Sequence, residues 1–322
     1  MTATQQGTAG RRPLTQTELL LELEQVVESN LERHLDVAKE WFPHEYVPWS
    51  EGRTFDGLLG GQAWTPEDSP MSDVARSALV VNLLTEDNLP SYHHEIAVLF
   101  GREAAWGEWV HRWTAEEGRH GAAIRDYLLV KRAVDPVDLE RARMDHMSQG
   151  YTNANNDNLL GSIAYVSFQE LATRVSHRNT GKVTGDPMCD QLLSRIAADE
   201  NLHMIFYRNL LAAALELAPD QAVRAITDVV TTFEMPGSDI KGFQRKAVEM
   251  AVAGVYDLRQ HRDEVVMPVL RFWKVFELEG LGSEGEAARA ELAAHLDQLD
   301  QQATRFEEKR DALQARMAAR RG

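Results

Sequence analysis

Glu117-Gly-Arg-His120 and Glu200-Asn-Leu-His203 are one word written twice, and a lone carboxylate precedes each at nearly the same distance. Glu86 stands 31 positions before Glu117, and Glu170 stands 30 before Glu200. On a helix, residues three apart share a face, so the Glu and His of each tetrad can address one metal ion. Two antiparallel helices joined by a short loop are level where their residues lie equally far from that loop. The midpoint of the first pair falls at Gly101. That of the second is Gly185, inside the breaker-rich run Asn179-Thr-Gly-Lys-Val-Thr-Gly-Asp-Pro187. The spacing predicts two helical hairpins holding two metal ions inside a four-helix bundle. Fifteen residues of helix span roughly 22 Å, which puts the metals deep in the bundle and far from both turns.

The neighbours on each ligand's face are mostly apolar. They are Leu79, Leu83 and Leu89 around Glu86; Val110, Trp113 and Ile124 around Glu117; Ile163 and Val166 around Glu170; and Leu193, Ile196 and Tyr207 around Glu200. Four unpaired carboxylates in such a core would be costly, and paired cations remove the objection. Oxygen ligands with two imidazoles suit iron or manganese better than zinc or copper, and a redox role favours iron. A single Glu-x-x-His on a helix is ordinarily a surface pair. Glu108-Trp-Val-His111 is such a case, since it lies about 180° from Glu117 on the same helix and position 77, 31 residues upstream, is Ser.

Composition narrows the class. The chain has 322 residues and a net charge of −16, which argues against nucleic acid as a partner. No apolar run reaches the length of a membrane span. The start has no apolar segment of a secretory signal. Its single cysteine, Cys189, excludes an intrachain disulfide and a cysteine-held iron–sulfur cluster, and fits a reducing cytoplasm. Residues 1–13 read as a disordered N-terminal tail. Residues 14–322 read as one all-α domain, with its core bundle at about 72–217 and additional helices over 219–322.

Along the chain, a first helix is expected over Thr15 to Trp41, then an irregular aromatic cover from Phe42 to Pro70. Bundle helix one spans Ser72 to Phe100. Pro90 removes the donor that would bond to the Glu86 carbonyl, so a kink, or a merely tolerated irregularity, is expected beside that residue. His93 and His94 read as packing or surface groups. Helix two runs from Arg102 to Ala133. A crossover over 134–157 contains a helix from Asp138 to Gln149 and leads into the polar Asn153-Ala-Asn-Asn-Asp-Asn158 run. Helix three covers Leu159 to Arg178 and helix four Pro187 to Leu217. Two hairpins joined by one long crossover make the ferritin-like connectivity. Further helices are expected over Pro219 to Phe233, Ser238 to Arg259 and Asp263 to Phe276, with a turn at Pro236-Gly237. The region from Ser283 onward reads as a C-terminal helix or helical pair, and its Arg310, Arg316, Arg320 and Arg321 as a solvated basic close.

Longer words carry a resemblance. Trp113-Thr-Ala-Glu-Glu-Gly-Arg-His120, Ser167-Phe-Gln-Glu-Leu-Ala-Thr173 and Ala198-Asp-Glu-Asn-Leu-His203 are similar to three signatures of the soluble acyl-carrier-protein desaturases, and Leu84-Thr-Glu-Asp-Asn-Leu-Pro90 resembles the fourth. The likeness extends to Glu40-Trp-Phe-Pro43, Ser176-His-Arg-Asn-Thr180 and Phe272-Trp-Lys-Val-Phe-Glu-Leu-Glu-Gly-Leu-Gly-Ser-Glu-Gly285, covering most of residues 15 to 290. The first hairpin is shorter than in the plant enzymes, and Gly118 and Asn201-Leu202 vary within the tetrads. Without a transit peptide, the chain resembles the bacterial branch.

The resemblance implies a ferritin-like di-iron enzyme. Electrons from ferredoxin and dioxygen would remove two hydrogens from adjacent methylenes of a chain tethered to acyl carrier protein, giving a cis alkene and water. Glu86, Glu117, His120, Glu170, Glu200 and His203 would be the iron ligands, with manganese possible in place of iron. Thr173 lies one turn from Glu170 and corresponds to a threonine implicated at the oxygen site; otherwise it bonds its own helix. Asp199 and Trp41 match outer positions implicated in electron entry. An aspartate there can fix the tautomer of a ligand imidazole. A narrow apolar slot beside the metals would take the chain. Arg174, Arg178, Lys182, Lys241, Arg245 and Lys246 are candidates for docking the acidic partners. The family implies a homodimer. The alternatives are another di-iron oxygenase (a hydroxylase or N-oxygenase), an iron-storage protein, and a non-catalytic homologue.

Overall fold

Thr15 starts the first helix with a reciprocal cap. Its hydroxyl accepts from the Glu18 amide, and the Glu18 carboxylate accepts from the Thr15 amide. In this computed structural model, residues 12–151, 158–235, 237–238, 240 and 242–319 are described. Residues 1–11 of the tail expected over 1–13, most of the Asn153–Asn158 run, Pro236, Lys241, Arg320 and Arg321 lie outside them.

α1 (Gln16–Val37) buries Leu19, Leu23, Val27, Leu31 and His34 as one stripe. It stops short of the expected Trp41. The cover that follows has three 3-10 turns, Pro43–Glu45, Trp49–Glu51 and Pro66–Asp68. The buried Arg132 guanidinium holds it down by donating to the Gln62 and Ala63 carbonyls and to Asp68.

Bundle helix one is two helices rather than one kinked helix. α2 (Asp73–Asp87) ends at Asn88, and α3 (Leu89–Phe100) begins with Pro90 in its first turn. Proline suits that position because no amide is needed there. The Asn88 side chain secures the joint by donating to the Gly150 carbonyl at 3.0 Å. Gly101, at φ 83°, turns the chain into α4 (Ala104–Val130). Asp135 caps α5 (Pro136–Gln149) in the crossover.

α6 (Leu159–Thr184) runs past the expected Arg178, because its stop is Gly185, left-handed at φ 68°. Asp186 then caps α7 (Pro187–Leu217). The hairpin closes tightly at Gly181, where a Cβ would come within 2.7 Å of Asp190 Oδ1. α8 (Pro219–Thr232) follows. α9 (Phe243–Val252) is shorter than expected, because left-handed glycines at 242 and 254 bound it. α10 (Leu258–Gln260) continues through a π-helical turn, His261–Val266, into α11 (Met267–Trp273). α12 (Ser283–Ala319) is one helix, not a pair.

α2, α4, α6 and α7 form a ferritin-like four-helix bundle, in which α6 and α7 pack most closely. α1 lies on α4 and α7, α8 on α6, α12 on α8, and α9 on α2. Among the described residues the only strand-like pairing is an isolated bridge between Phe55 and Gln62. Among the described residues no helix is long and apolar enough to cross a membrane. One apolar body contains Trp109, Trp113 and Phe206, and another contains Leu83, Ile124 and Ile196. On α4 and α7 the two tetrads fall between these bodies, as a buried polar layer.

Candidate metal centre

The six side chains expected at the metals converge in that layer. Glu86, Glu117, His120 and Glu200 form one group whose potential ligand atoms all lie within 4.8 Å of one another. Glu117, Glu170, Glu200 and His203 form a second. Glu117 and Glu200 belong to both, as bridging carboxylates would. His120 Nδ1 lies 3.2 Å from Glu200 and 3.3 Å from Glu117, while His203 Nδ1 lies 2.8 Å from Glu117 and 3.6 Å from Glu170. All six residues are buried.

These approaches are close but poorly aligned for hydrogen bonds. Glu117 Oε1, His120 Nδ1, Glu170 Oε2, Glu200 Oε1 and His203 Nδ1 are all buried without a hydrogen-bond partner. Such orphans are rare in a folded interior. Five of them facing one point fit cations there, and the oxygen-rich donor set fits iron or manganese. Protein groups alone balance the charge badly. Burial, then Glu117 and Glu170, drive the Glu200 carboxyl well above the usual range. Burial opposes charge on His120 and His203, but the facing carboxylates overcome it and hold both imidazoles well above their ordinary value.

The outer atoms are spoken for, in a crossed pattern. Asp199, one residue before Glu200, meets His120 Nε2 of the other tetrad at 3.3 Å. Glu116, one residue before Glu117, meets His203 Nε2 at 2.9 Å. Each carboxylate therefore fixes the opposite imidazole, leaving Nδ1 for a metal. α1 and the segment after it supply the next partners. Trp41 Nε1 donates to Asp199 at 2.7 Å, and His34 Nε2 lies 3.0 Å from Glu116. Arg119 lies between the two carboxylates, 3.3 Å from Asp199 and 4.0 Å from Glu116. Burial raises the Asp199 carboxyl, but hydrogen bonds and charge from His120, with Trp41 and Arg195, hold it down at about 2. On the far side, His177 Nε2 lies 2.8 Å from Glu86.

His34, Glu116 and His177 are absent from the six-residue sequence pattern, although each left a trace. Glu116 and Asp199 give both tetrads an acidic prefix. His177 follows Glu170 by two helical turns. His34 takes the next place in the apolar stripe of α1. Thr173 donates its hydroxyl to the Gln169 carbonyl at 2.9 Å, so its proton is spent on its own helix even though the residue lines a cavity beside Glu86 and Glu200. Glu108, His111 and His94 are exposed, as expected, and His93 binds Thr114.

That cavity is walled by Leu89, Ile96, Trp113 and Val166 among others. Through Thr85, Glu86 and Thr173 it adjoins a second, lined by Val81, Phe243 and Met250. Met235, Ala247 and Tyr256 are shared in turn with a third, which opens at the surface beside Val248 and Leu258. A separate surface cleft is lined by Lys39, Arg174, Arg178 and Arg195, with no carboxylate among its walls.

A family profile described as fatty acid desaturase matches residues 15–320. DesA1 of Mycobacterium tuberculosis, provisionally named an acyl-[acyl-carrier-protein] desaturase, is 54% identical over 301 residues, covering 91% of this chain and 89% of that protein. The chloroplastic stearoyl-[acyl-carrier-protein] 9-desaturase 2 of Oryza sativa is 30% identical over 312 residues, covering 90% and 78%. The X-ray structure of M. tuberculosis DesA2, a protein with the same provisional assignment, matches with a TM-score of 0.67 at 34% identity, over 80% of this chain and 94% of that one.

Proposed function

This chain belongs to the fatty acid desaturase family, and on that premise we propose that it is a di-iron acyl-[acyl-carrier-protein] desaturase. The observation that carries the reading is the pair of overlapping Glu/His groups beside an elongated apolar cavity. When bound, two irons would supply the dioxygen-dependent oxidation that takes two hydrogens from adjacent methylenes and leaves a cis double bond and water.

The protein's own groups divide the remaining work. Glu86 and His120 would hold one iron, Glu170 and His203 the other, and Glu117 and Glu200 would bridge. Asp199 and Glu116 keep the imidazoles in the tautomer that presents Nδ1. Thr173, Gln169 and Trp113 line the cavity next to the ligands, where water must be excluded. The acyl chain enters at the outermost cavity, passes Tyr256 and Met235, and lies beside Glu86. Arg245 and Lys246, on α9 next to that mouth, attract the acidic carrier protein. Ferredoxin docks at the cationic cleft, where Arg195 leads to Asp199, Trp41 and His120. The working unit is a homodimer, and the ligand set could take manganese in place of iron.

The test is iron content and product together. The iron-loaded protein, given stearoyl- or palmitoyl-carrier protein, ferredoxin, its reductase, NADPH and air, should yield mono-unsaturated carrier-linked chains, and the Glu117→Ala variant none. An oxygenated product would favour a hydroxylase or N-oxygenase. A protein that binds no iron would sink the proposal.

A further inference from the structure

Arg33 on α1 and Arg208 on α7 differ from the other arginines of this chain. Arg33 Nη1 and Arg208 Nε are buried without a hydrogen bond. Every other described arginine with such a nitrogen has a carboxylate within 3.6 Å of its guanidinium. Among the described residues, the Arg33 and Arg208 side chains have neither an ion pair nor a hydrogen bond. The fold brings these two together. Asn209 Nδ2 donates to Asn30 Oδ1 at 2.7 Å, which fixes the register of α1 on α7. Arg33 lies one turn beyond Asn30, and Arg208 is next to Asn209, so the two guanidiniums meet at this crossing. Burial, and then the charge of Arg33, lower the pKa of Arg208. The Arg208 guanidinium also lies over the Phe272 ring of α11, 3.6 Å from its centroid. The ring attracts a cation but supplies no counter-charge.

Two like charges drawn partly out of water are costly unless a counter-ion joins them. The chain has a net charge of −16, and still no carboxylate closes this pair. Its partner therefore comes from outside. We propose that Arg33 and Arg208 form a binding site for a phosphate dianion, free or carried as an ester. Both residues are half-buried, so a small solute can reach the free edges of their guanidiniums. A phosphate has the charge and the oxygens to take a fork from each arginine, whereas a carboxylate fills only one. The site lies outside the metal layer and stands whether or not the chain is a desaturase. A phosphate bound there ties α1 to α7 and, through Arg208 and Phe272, to α11.

The experiment titrates inorganic phosphate into the iron-loaded protein, with chloride exchanged to hold ionic strength constant, and follows heat and melting midpoint. AMP serves as the ester probe. Phosphate also binds iron, so the ligand variant Glu117→Ala is titrated in parallel. Wild type should show one saturable site and a midpoint that rises with phosphate. Arg33→Gln and Arg208→Gln should each weaken binding about tenfold or more. In chloride alone Arg33→Gln should melt no lower than wild type, because it removes a repulsion, whereas loss of a merely structural arginine would lower the midpoint. Glu117→Ala should bind phosphate as wild type does. AMP binding that both arginine variants weaken would show that the site accepts esters; phosphate binding without AMP would restrict it to the free anion. No saturable binding, or binding that both arginine variants leave unchanged, would overturn the proposal. Binding lost only in Glu117→Ala would also overturn it, by placing the phosphate on the metals.

Discussion

Glu117 and Glu200 belong to both metal groups, and Asp199 and Trp41 to neither, so their substitutions should separate. Glu117→Ala or Glu200→Ala should lose both irons and all product, read by metal analysis and mass spectrometry. Asp199→Ala should retain the ligands but weaken iron binding about 10–100-fold, because His120 loses the partner that orients it. Trp41→Phe removes the indole donor to Asp199 while keeping an aromatic ring beside His120. It should leave iron content intact and slow the reduction step, measured by stopped-flow with reduced ferredoxin. His261 offers a pH test away from the metals. Burial, with a smaller contribution from His295, lowers its pKa to about 4, and Tyr256 is its hydrogen-bond partner at 2.9 Å. An unfolded histidine titrates near 6.5. Between these values the unfolded chain binds the extra proton, so stability falls as pH drops from about 6.5 towards about 4. The loss approaches about 3 kcal/mol at its limit. Urea midpoints at neutral pH and near pH 4 should converge less for wild type than for His261→Gln, which has no such proton to bind.

Between helices, the fit is set where no side chain intervenes. Gly121 directly follows His120 on α4. A Cβ there would lie 3.2 Å from Asp87 Oδ1 and 3.5 Å from Glu86 Cβ. The glycine is what lets α2 bring Glu86 level with the tetrad. Gly121→Val should force the helices apart at about 1–3 kcal/mol, with iron occupancy at the Glu86–His120 end falling first. The break between α2 and α3 acts at the same scale. Pro90 withholds its amide one turn beyond Glu86, and Asn88 ties the joint to Gly150. An unbroken helix would place Leu89, Tyr92 and Ile96 on a different wall of the cavity.

Over the whole molecule, a net charge of −16 surrounds one cleft of four cations. Reduction by an acidic ferredoxin should therefore slow as salt is raised through the range where the screening length falls below about 10 Å. Wild type should lose more rate than Arg174→Ala/Arg178→Ala in the same series. The C-terminal helix is a structural partner as well as a terminus. Ala288, Leu292 and Leu296 are buried, and the Thr227 hydroxyl on α8 donates to the Ala288 carbonyl at 3.0 Å. Removing residues 283–322 would bare the apolar face of α8, so that chain should be recovered largely as aggregate. A soluble, cooperatively melting product would instead mean that the bundle stands without α12.

The sequence by itself determined the parts that depend on local spacing. Helical periodicity and equal distances from two turns singled out the six Glu and His side chains that converge in the polar layer, and both hairpin glycines. Pro187 and Leu217 bounded α7 as read. Side chains that act across the bundle were not legible in this way, because no interval along the chain encodes which helix faces which. Only the tertiary structure paired Asp199 with His120 and Glu116 with His203, and brought His34 and Trp41 from the start of the chain to those carboxylates. Pro90 signalled a disturbance after Glu86 in sequence, and the tertiary structure, through the Asn88–Gly150 bond, made it a break between two helices.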